Sequence, residues 1–245
     1  MAVKRYWDIV DNVIRNSDIL VMIGDARMPD KSINWDIVRK AENLGRKIIL
    51  VFNKIDLIGK GDYFKLKREY PDAILTSAIK HLSTMRLLRM INEVARGSSA
   101  VVGIVGYPNT GKSAIINAIK GRKSAPTSPI PGYTKTMRTV RVSRRIKLID
   151  TPGVIPFRED DETALAILSA KSAEKMKDPE AVAMEMIKRF EGMIEQFYGV
   201  EKTDDVCDTL DKIALKLNLL KKGGEPDSRT ASQRIIHDWQ RGKIR

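Results

Sequence analysis

Ala100-Val-Val-Gly-Ile-Val-Gly106-Tyr-Pro-Asn109-Thr110-Gly111-Lys112-Ser113 is the stretch that decides the fold. Val101 to Val105 is a short apolar run of the kind that fills a buried strand. Gly106 breaks it, and Lys112 opens a helical pattern, Ala114-Ile115-Ile116-Asn117-Ala118-Ile119. Strand, G-x-x-x-x-G-K-S and helix in this order is the context of a phosphate-binding loop. Backbone N–H groups from Asn109, Thr110, Gly111, Lys112, Ser113 and Ala114 are expected to surround an anion, because a loop entering a helix N-terminus presents unpaired donors. The glycines permit close approach. Lys112 is expected to reach the terminal phosphates, and the Ser113 hydroxyl to bind Mg2+.

Two further loops follow apolar runs. Lys47-Ile-Ile-Leu-Val-Phe52 ends in Asn53-Lys54-Ile55-Asp56. Ligands of open α/β sheets bind at such carboxyl ends. A carboxylate at Asp56 accepts both donors on the Watson–Crick edge of guanine, a pattern adenine lacks. Asn53 is expected to bond a ring acceptor and tie loops together, with the Lys54 stem lying over the base. Thr76-Ser77-Ala78 follows a third run, Ala73-Ile-Leu75, and its Ser77 and Ala78 N–H groups are expected to face the guanine oxygen. Asp150-Thr151-Pro152-Gly153 closes another strand. There Asp150 is expected at the Mg2+ and the Gly153 N–H at the γ-phosphate, with Thr134 as the second Mg2+ hydroxyl. GTP and GDP are the expected ligands.

The chain has 245 residues, enough for two domains, and 31% of them are charged. Its apolar runs are too short to span a membrane. The amino-terminal residues lack the apolar stretch of a signal peptide. The single cysteine, Cys207, fits a reducing compartment, and a cytoplasmic location is expected. The net charge of +13 is unevenly placed. Residues 98–157 carry ten Lys and Arg against one acid, whereas residues 158–245 carry 16 against 18. A basic field around the phosphate loop attracts polyanions larger than a nucleotide. Arg138, Arg141, Arg144 and Arg145 are the candidate RNA contacts there, joined by Arg234 and Arg241 on the last helix.

The remaining pattern is one of strands alternating with helices up to about residue 157, then four helical segments near 161–174, 179–198, 203–220 and 229–241. Val206, Cys207, Leu210, Ile213, Ala214 and Leu217 form one apolar stripe, so Cys207 is expected in a core. The expected fold is α/β: a P-loop domain over 1–157, with a mostly parallel sheet and helices on both faces, followed by a small all-α domain over 158–245.

The guanine loop precedes the phosphate loop, the reverse of the usual order in P-loop GTPases. This permuted arrangement resembles the circularly permuted YlqF/YawG-type GTPases. Asp25-Ala26-Arg27-Met28-Pro29 resembles the Asp-Ala-Arg-x-Pro segment of that family, and Arg234-Ile-Ile-His-Asp-Trp-Gln-Arg-Gly-Lys-Ile244 resembles the end of its helical domain. The resemblance implies a GTPase of large ribosomal subunit assembly that binds rRNA through the helical domain, with Mg2+ as cofactor. By analogy with related GTPases, Asn109 implies a K+ ion against the phosphates. Bacterial members begin with a motif holding a histidine proposed to act in catalysis. The histidines here, His81 and His237, lie elsewhere, so no catalytic histidine carries over. Val154 and Ile155 stand where Ras-like enzymes have a water-orienting glutamine, which implies slow intrinsic hydrolysis stimulated by the ribosome. Two other readings fit: a GTP-gated docking module with negligible turnover, or a GTPase of tRNA or the small subunit. Nothing in the sequence demands more than a monomer.

Overall fold

The computed structural model describes residues 2–120, 138–150, 162–169 and 171–244, with backbone alone at 2–6, 138 and 150. The chain divides into two compact units, Met1–Pro156 and Phe157–Arg245.

The first unit is built on six strands: β1 (Ile19–Asp25), β2 (Lys47–Asn53), β3 (Ile74–Leu75), β4 (Ala100–Val105), β5 (Arg138–Arg141) and β6 (Ile146–Asp150). Their spatial order is β3-β2-β1-β4-β6-β5. All neighbours are parallel except β5 and β6, which form the antiparallel edge. Five helices serve this sheet: α1 (Ala2–Arg15), α2 (Pro29–Ser32), α3 (Trp35–Asn43), α4 (Lys60–Glu69) and α5 (Thr84–Val94), and α6 (Lys112–Lys120) follows β4.

Strand periodicity divides the core. Ile19, Val21 and Ile23 of β1 pack with Leu87 and Ile91 of α5 and with Ile115, Ile116 and Ile119 of α6. Leu20 and Met22 point the other way, to Val13 and Ile14 of α1 and Ile37 and Val38 of α3. Because both faces are covered, β1 is buried along its whole length, which is why it reads as a continuous apolar run rather than an alternating one. Each such side chain contributes about 1.5–3 kcal/mol. Close packing leaves no room at Gly103, where an added Cβ would lie 2.5 Å from Ser17 Oγ and 2.8 Å from Val13 Cγ1.

From β1 the chain moves outward to β2 and β3, then returns to the opposite side of β1 as β4. The crevice between the carboxyl ends of β1 and β4 is therefore the switch point of the sheet, where open α/β folds hold ligands.

The second unit is helical: α7 (Glu162–Ile167), a 3-10 turn at Ala173–Lys175, α8 (Pro179–Arg189), α9 (Met193–Tyr198), α10 (Val206–Lys216) and α11 (Ser228–Gln240). The predicted helix over 179–198 is two helices. Gly192 takes φ +79, a left-handed conformation that interrupts the run. Asp178, Asp205 and Asp227 cap α8, α10 and α11 by accepting the N–H groups of Ala181, Cys207 and Thr230. Trp239 is the buried centre of this unit. It stacks on Phe190 at 4.2 Å and donates Nε1–H to the Ile167 carbonyl at 2.9 Å. The expectation that Cys207 lies in a core is corrected: it is exposed, and buried Thr209 occupies the inward face of the first turn of α10. Cys207 instead sits 3.4 Å from Met184 Sδ, beside the Asp205 carboxylate, which pushes its thiol pKa up.

Candidate nucleotide site

The loop after β4 is held open by its own geometry. Gly106 has φ +151, and a Cβ there would lie 2.3 Å from the Ile23 carbonyl of β1. Gly111 has φ +94, and its Cβ would lie 2.1 Å from Asn53 Nδ2. Both positions require glycine, so the loop is pressed against β1 on one side and the end of β2 on the other. Asn109, at φ +57, adds a third left-handed residue. Thr110 is buried and bonds the Tyr107 carbonyl at 2.9 Å. The buried Lys112 ammonium is folded back over the loop, donating to the Gly106 and Tyr107 carbonyls at 3.0 and 2.8 Å. Lys112, Ser113 and Ala114 form the first turn of α6, whose Ile115 N–H bonds the Gly111 carbonyl.

Asn53 joins three loops. Its Nδ2 donates to the Thr110 carbonyl at 2.8 Å, and its Oδ1 accepts the Ala78 N–H at 3.0 Å. Both ends of a buried amide are thereby satisfied, as burial demands. The expected tie between loops is present. The Ser77 and Ala78 N–H groups are both engaged within the protein. Ser77 gives its N–H to the Leu82 carbonyl at 3.2 Å, and Ala78 gives its own to Asn53. Thr76 Oγ1 also bonds the Leu82 carbonyl, at 2.6 Å.

Lys54 has left-handed backbone, φ +68. It is followed by the 3-10 turn Ile55–Leu57, which contains the half-buried Asp56. Its ammonium pairs with Asp25 Oδ2 at 2.8 Å. Asp25 Oδ2 also takes Arg27 Nη2 at 2.8 Å, while Oδ1 accepts Arg27 Nε and the Arg27 N–H, both at 3.1 Å. The Asp25, Arg27 and Lys54 side chains are 5%, 4% and 15% exposed. Burial alone would raise the Asp25 carboxyl; the Arg27 and Lys54 charges overcome it and hold the group well below the usual carboxylate range. Burial, opposed by Asp25, pushes the Lys54 ammonium down. The motifs by themselves give no role to Asp25 and Arg27. The available signals were their position directly after a buried strand and the resemblance of Asp25–Pro29 to the family's Asp-Ala-Arg-x-Pro segment.

Of the remaining candidates, Thr134 and Gly153 lie outside the described residues, as do the side chains of Asp150 and Arg138. Arg141, Arg144, Arg145 and Lys147 are exposed on the β5–β6 edge, and Arg145 Nη1 donates to the Gly97 carbonyl at 2.7 Å. Arg241, which caps the end of α11, is exposed, whereas on the helix itself Arg234 Nε is committed to Asp238 at 2.8 Å and His237 Nε2 lies 2.6 Å from Glu174.

Residues 101–223 match the family of 50S ribosome-binding GTPases. An uncharacterized GTP-binding protein of Methanocaldococcus jannaschii is 36% identical over 244 residues, which cover 96% of this chain and 65% of that protein. Nuclear/nucleolar GTPase 2 of Arabidopsis thaliana is 34% identical over 253 residues, 98% of this chain and 44% of the relative. The chain thus spans between about half and two thirds of these relatives. The GNP-bound structure of YlqF from T. maritima shares the fold, with TM-score 0.67 and 22% identity over 98% of this chain and 94% of that one. The GDP-bound form gives 0.68 at 21% identity, over 96% and 94%. No described helix is long and apolar enough to cross a membrane. Asn53–Asp56 precedes the 106–113 loop along the chain, on an α/β sheet whose fold is shared with YlqF, and the chain belongs to the family of 50S ribosome-binding GTPases.

Proposed function

We propose that the chain is a GTP-driven switch of large ribosomal subunit assembly, which binds GTP, hydrolyses it slowly alone and faster on the particle, and holds rRNA in a nucleotide-dependent way. The observation that carries this reading is the Asn53 bridge, which draws the phosphate loop and the Thr76–Ala78 turn to the end of the same strand. In this reading Asp56 selects guanine, the 106–114 loop takes the phosphates, and Lys112 moves from its carbonyl partners to the β- and γ-phosphates. The cradle fits a magnesium nucleotide: the close approaches at Gly106 and Gly111 bring the loop backbone to the surface of the crevice without side chains, and Ser113 stands in the first turn of the helix that follows. Ser113, Thr134 and Asp150 would hold Mg2+, which neutralises charge between the phosphates. Asn109, at the left-handed apex of the loop, is the candidate ligand for K+. Exposed arginines of the β5–β6 edge and Arg241 would contact RNA phosphates, which positions a particle without reading its sequence. A reducing location such as the cytoplasm fits the exposed Cys207, which forms no disulfide.

A docking module with negligible turnover is favoured by one feature, the apolar Val154 and Ile155 after Gly153. GTP turnover in potassium and in sodium buffer, with and without purified large subunits, separates the readings, with Lys112→Ala as the blank. The switch requires stimulation by large subunits, and the assignment of K+ to Asn109 requires faster turnover in potassium. Unstimulated turnover beside intact GTP-dependent particle binding would replace the switch by the docking module.

A further inference from the structure

Two cations and a carboxylate withdrawn from water are a costly way to join two loops. Apolar side chains of similar volume would hold Asp25–Met28 against Asn53–Asp56 at least as well. What an ion cluster supplies instead is direction. Arg27 grips both oxygens of Asp25 from one side, through Nε on Oδ1 and Nη2 on Oδ2. That fork fixes the plane of the carboxylate. The Lys54 ammonium therefore meets an acceptor that cannot turn, at 2.8 Å.

The backbone of Lys54 is pinned as well. Its left-handed conformation is strained for a non-glycine residue and persists only where the surroundings overdetermine it. The bonds on either side do so. The Asn53 carbonyl accepts the Ala26 N–H at 2.8 Å, and the Ile55 N–H goes to the Thr76 carbonyl at 3.2 Å. Asp25 stands opposite Asn53 in the β1–β2 register, so this cluster lies at the carboxyl ends of these two strands and at the level of the loop-joining amide. A lysine fixed at both its backbone and its ammonium has a stem with little freedom left to lose.

We infer that Asp25 and Arg27 are positioning residues of the nucleotide site: the Arg27 fork orients the Asp25 carboxylate, the carboxylate holds the Lys54 ammonium, and the Lys54 stem becomes a preformed apolar bed for a purine ring. This rests on the reading of Asn53–Asp56 as the base loop. The device serves the base and not the phosphates, so it affects GDP and GTP alike.

The test is displacement of a fluorescent GDP by GDP, GTP and ADP from wild type, Arg27→Met, Arg27→Lys, Lys54→Met and the Arg27→Met/Lys54→Met double variant, each checked by circular dichroism. Arg27→Met should weaken GDP and GTP equally, by about tenfold, the scale of one lost charge-assisted bond. Arg27→Lys, which keeps the charge but not the fork, should lose most of the same affinity. The double variant should bind no more than about twofold worse than Lys54→Met, because Arg27 acts only through Lys54. A residue that merely supports the fold would give losses that multiply, and that result would overturn the inference. So would wild-type affinity in Arg27→Met. Should Arg27→Met not fold, the same cycle is run with Arg27→Lys. A wild-type protein that does not prefer GDP to ADP would defeat the base-loop reading and this inference together. A preserved preference with an unaltered Arg27 variant would defeat this inference alone.

Discussion

At the scale of the residue, the decisive contacts are those that a side chain either fills or forbids. Gly111 is the sharpest case. An alanine there must adopt φ near +94 and place its Cβ 2.1 Å from Asn53 Nδ2. The backbone strain is about 1–2 kcal/mol, and the displaced amide loses its bonds to Thr110 and Ala78. Gly111→Ala is expected to lower stability by about 2–3 kcal/mol in urea unfolding and to cut nucleotide affinity at least about tenfold. Wild-type affinity in a folded Gly111→Ala variant would show that the Asn53 bridge does not shape the site. The glycine was legible as a letter of the phosphate loop. That its obstacle is Asn53, 58 positions earlier in the chain, was not, because spacing along a chain carries no record of which loop ends meet across a sheet. The same reason hid the pairing of Asp25 and Arg27 with Lys54.

At the scale of the element, α11 shows how a helix that reads as a nucleic-acid contact is first a structural one. Its inner face carries Ile235, Ile236 and Trp239, all buried. Buried Asp238 gathers the Tyr198 hydroxyl at 3.1 Å, Arg234 Nε at 2.8 Å and Lys243 Nζ at 2.8 Å. Burial raises the Asp238 carboxyl, but Lys243, Arg234 and Tyr198 together hold it below the ordinary range. The folded pKa is depressed, so the contribution to stability is present above the unfolded value, near 4, and fades as pH falls through the folded one. Asp238→Ala should cost about 2–3 kcal/mol at pH 7, because the Tyr198 hydroxyl loses its acceptor. Urea unfolding measured between pH 7 and pH 3 should show that difference shrinking as the wild-type carboxylate protonates. A constant difference would assign the loss to packing alone. The Arg234 side chain is 54% exposed and pairs at the surface edge of this cluster, so Arg234→Ala is expected to cost under about 1 kcal/mol. The apolar period of α11 was legible; the acid among its basic residues was visible in sequence, but which cations it holds depends on Tyr198 and the returning Lys243.

At the scale of the whole molecule, permutation decides which element each switch loop leads into. The order of motifs was legible because each sits at the end of an apolar run, and strands alternating with helices leave few topologies open. The neighbour relations were not, since only the assembled sheet places β4 beside β1 and so puts the crevice between them. In this order the chain leaves β6 at Asp150, passes Gly153 and enters the second unit at Phe157. On the proposed reading, in which Gly153 meets the γ-phosphate, the responding segment is thus only a few residues along the chain from a helical unit. Loops of this kind order on triphosphate and relax on hydrolysis. The expected consequence is that hydrogen exchange over residues 162–244 differs between the states loaded with a non-hydrolysable GTP analogue and with GDP. The change should be largest in α7, the helix of that unit nearest in sequence to Gly153, and smaller in α10. Binding energy from the γ-phosphate shifts the second unit only if that unit has unequal stability in the two states. Identical exchange across α7 to α11 would therefore mean that the nucleotide signal stops within Met1–Pro156, and that any particle reading it must touch the first unit directly.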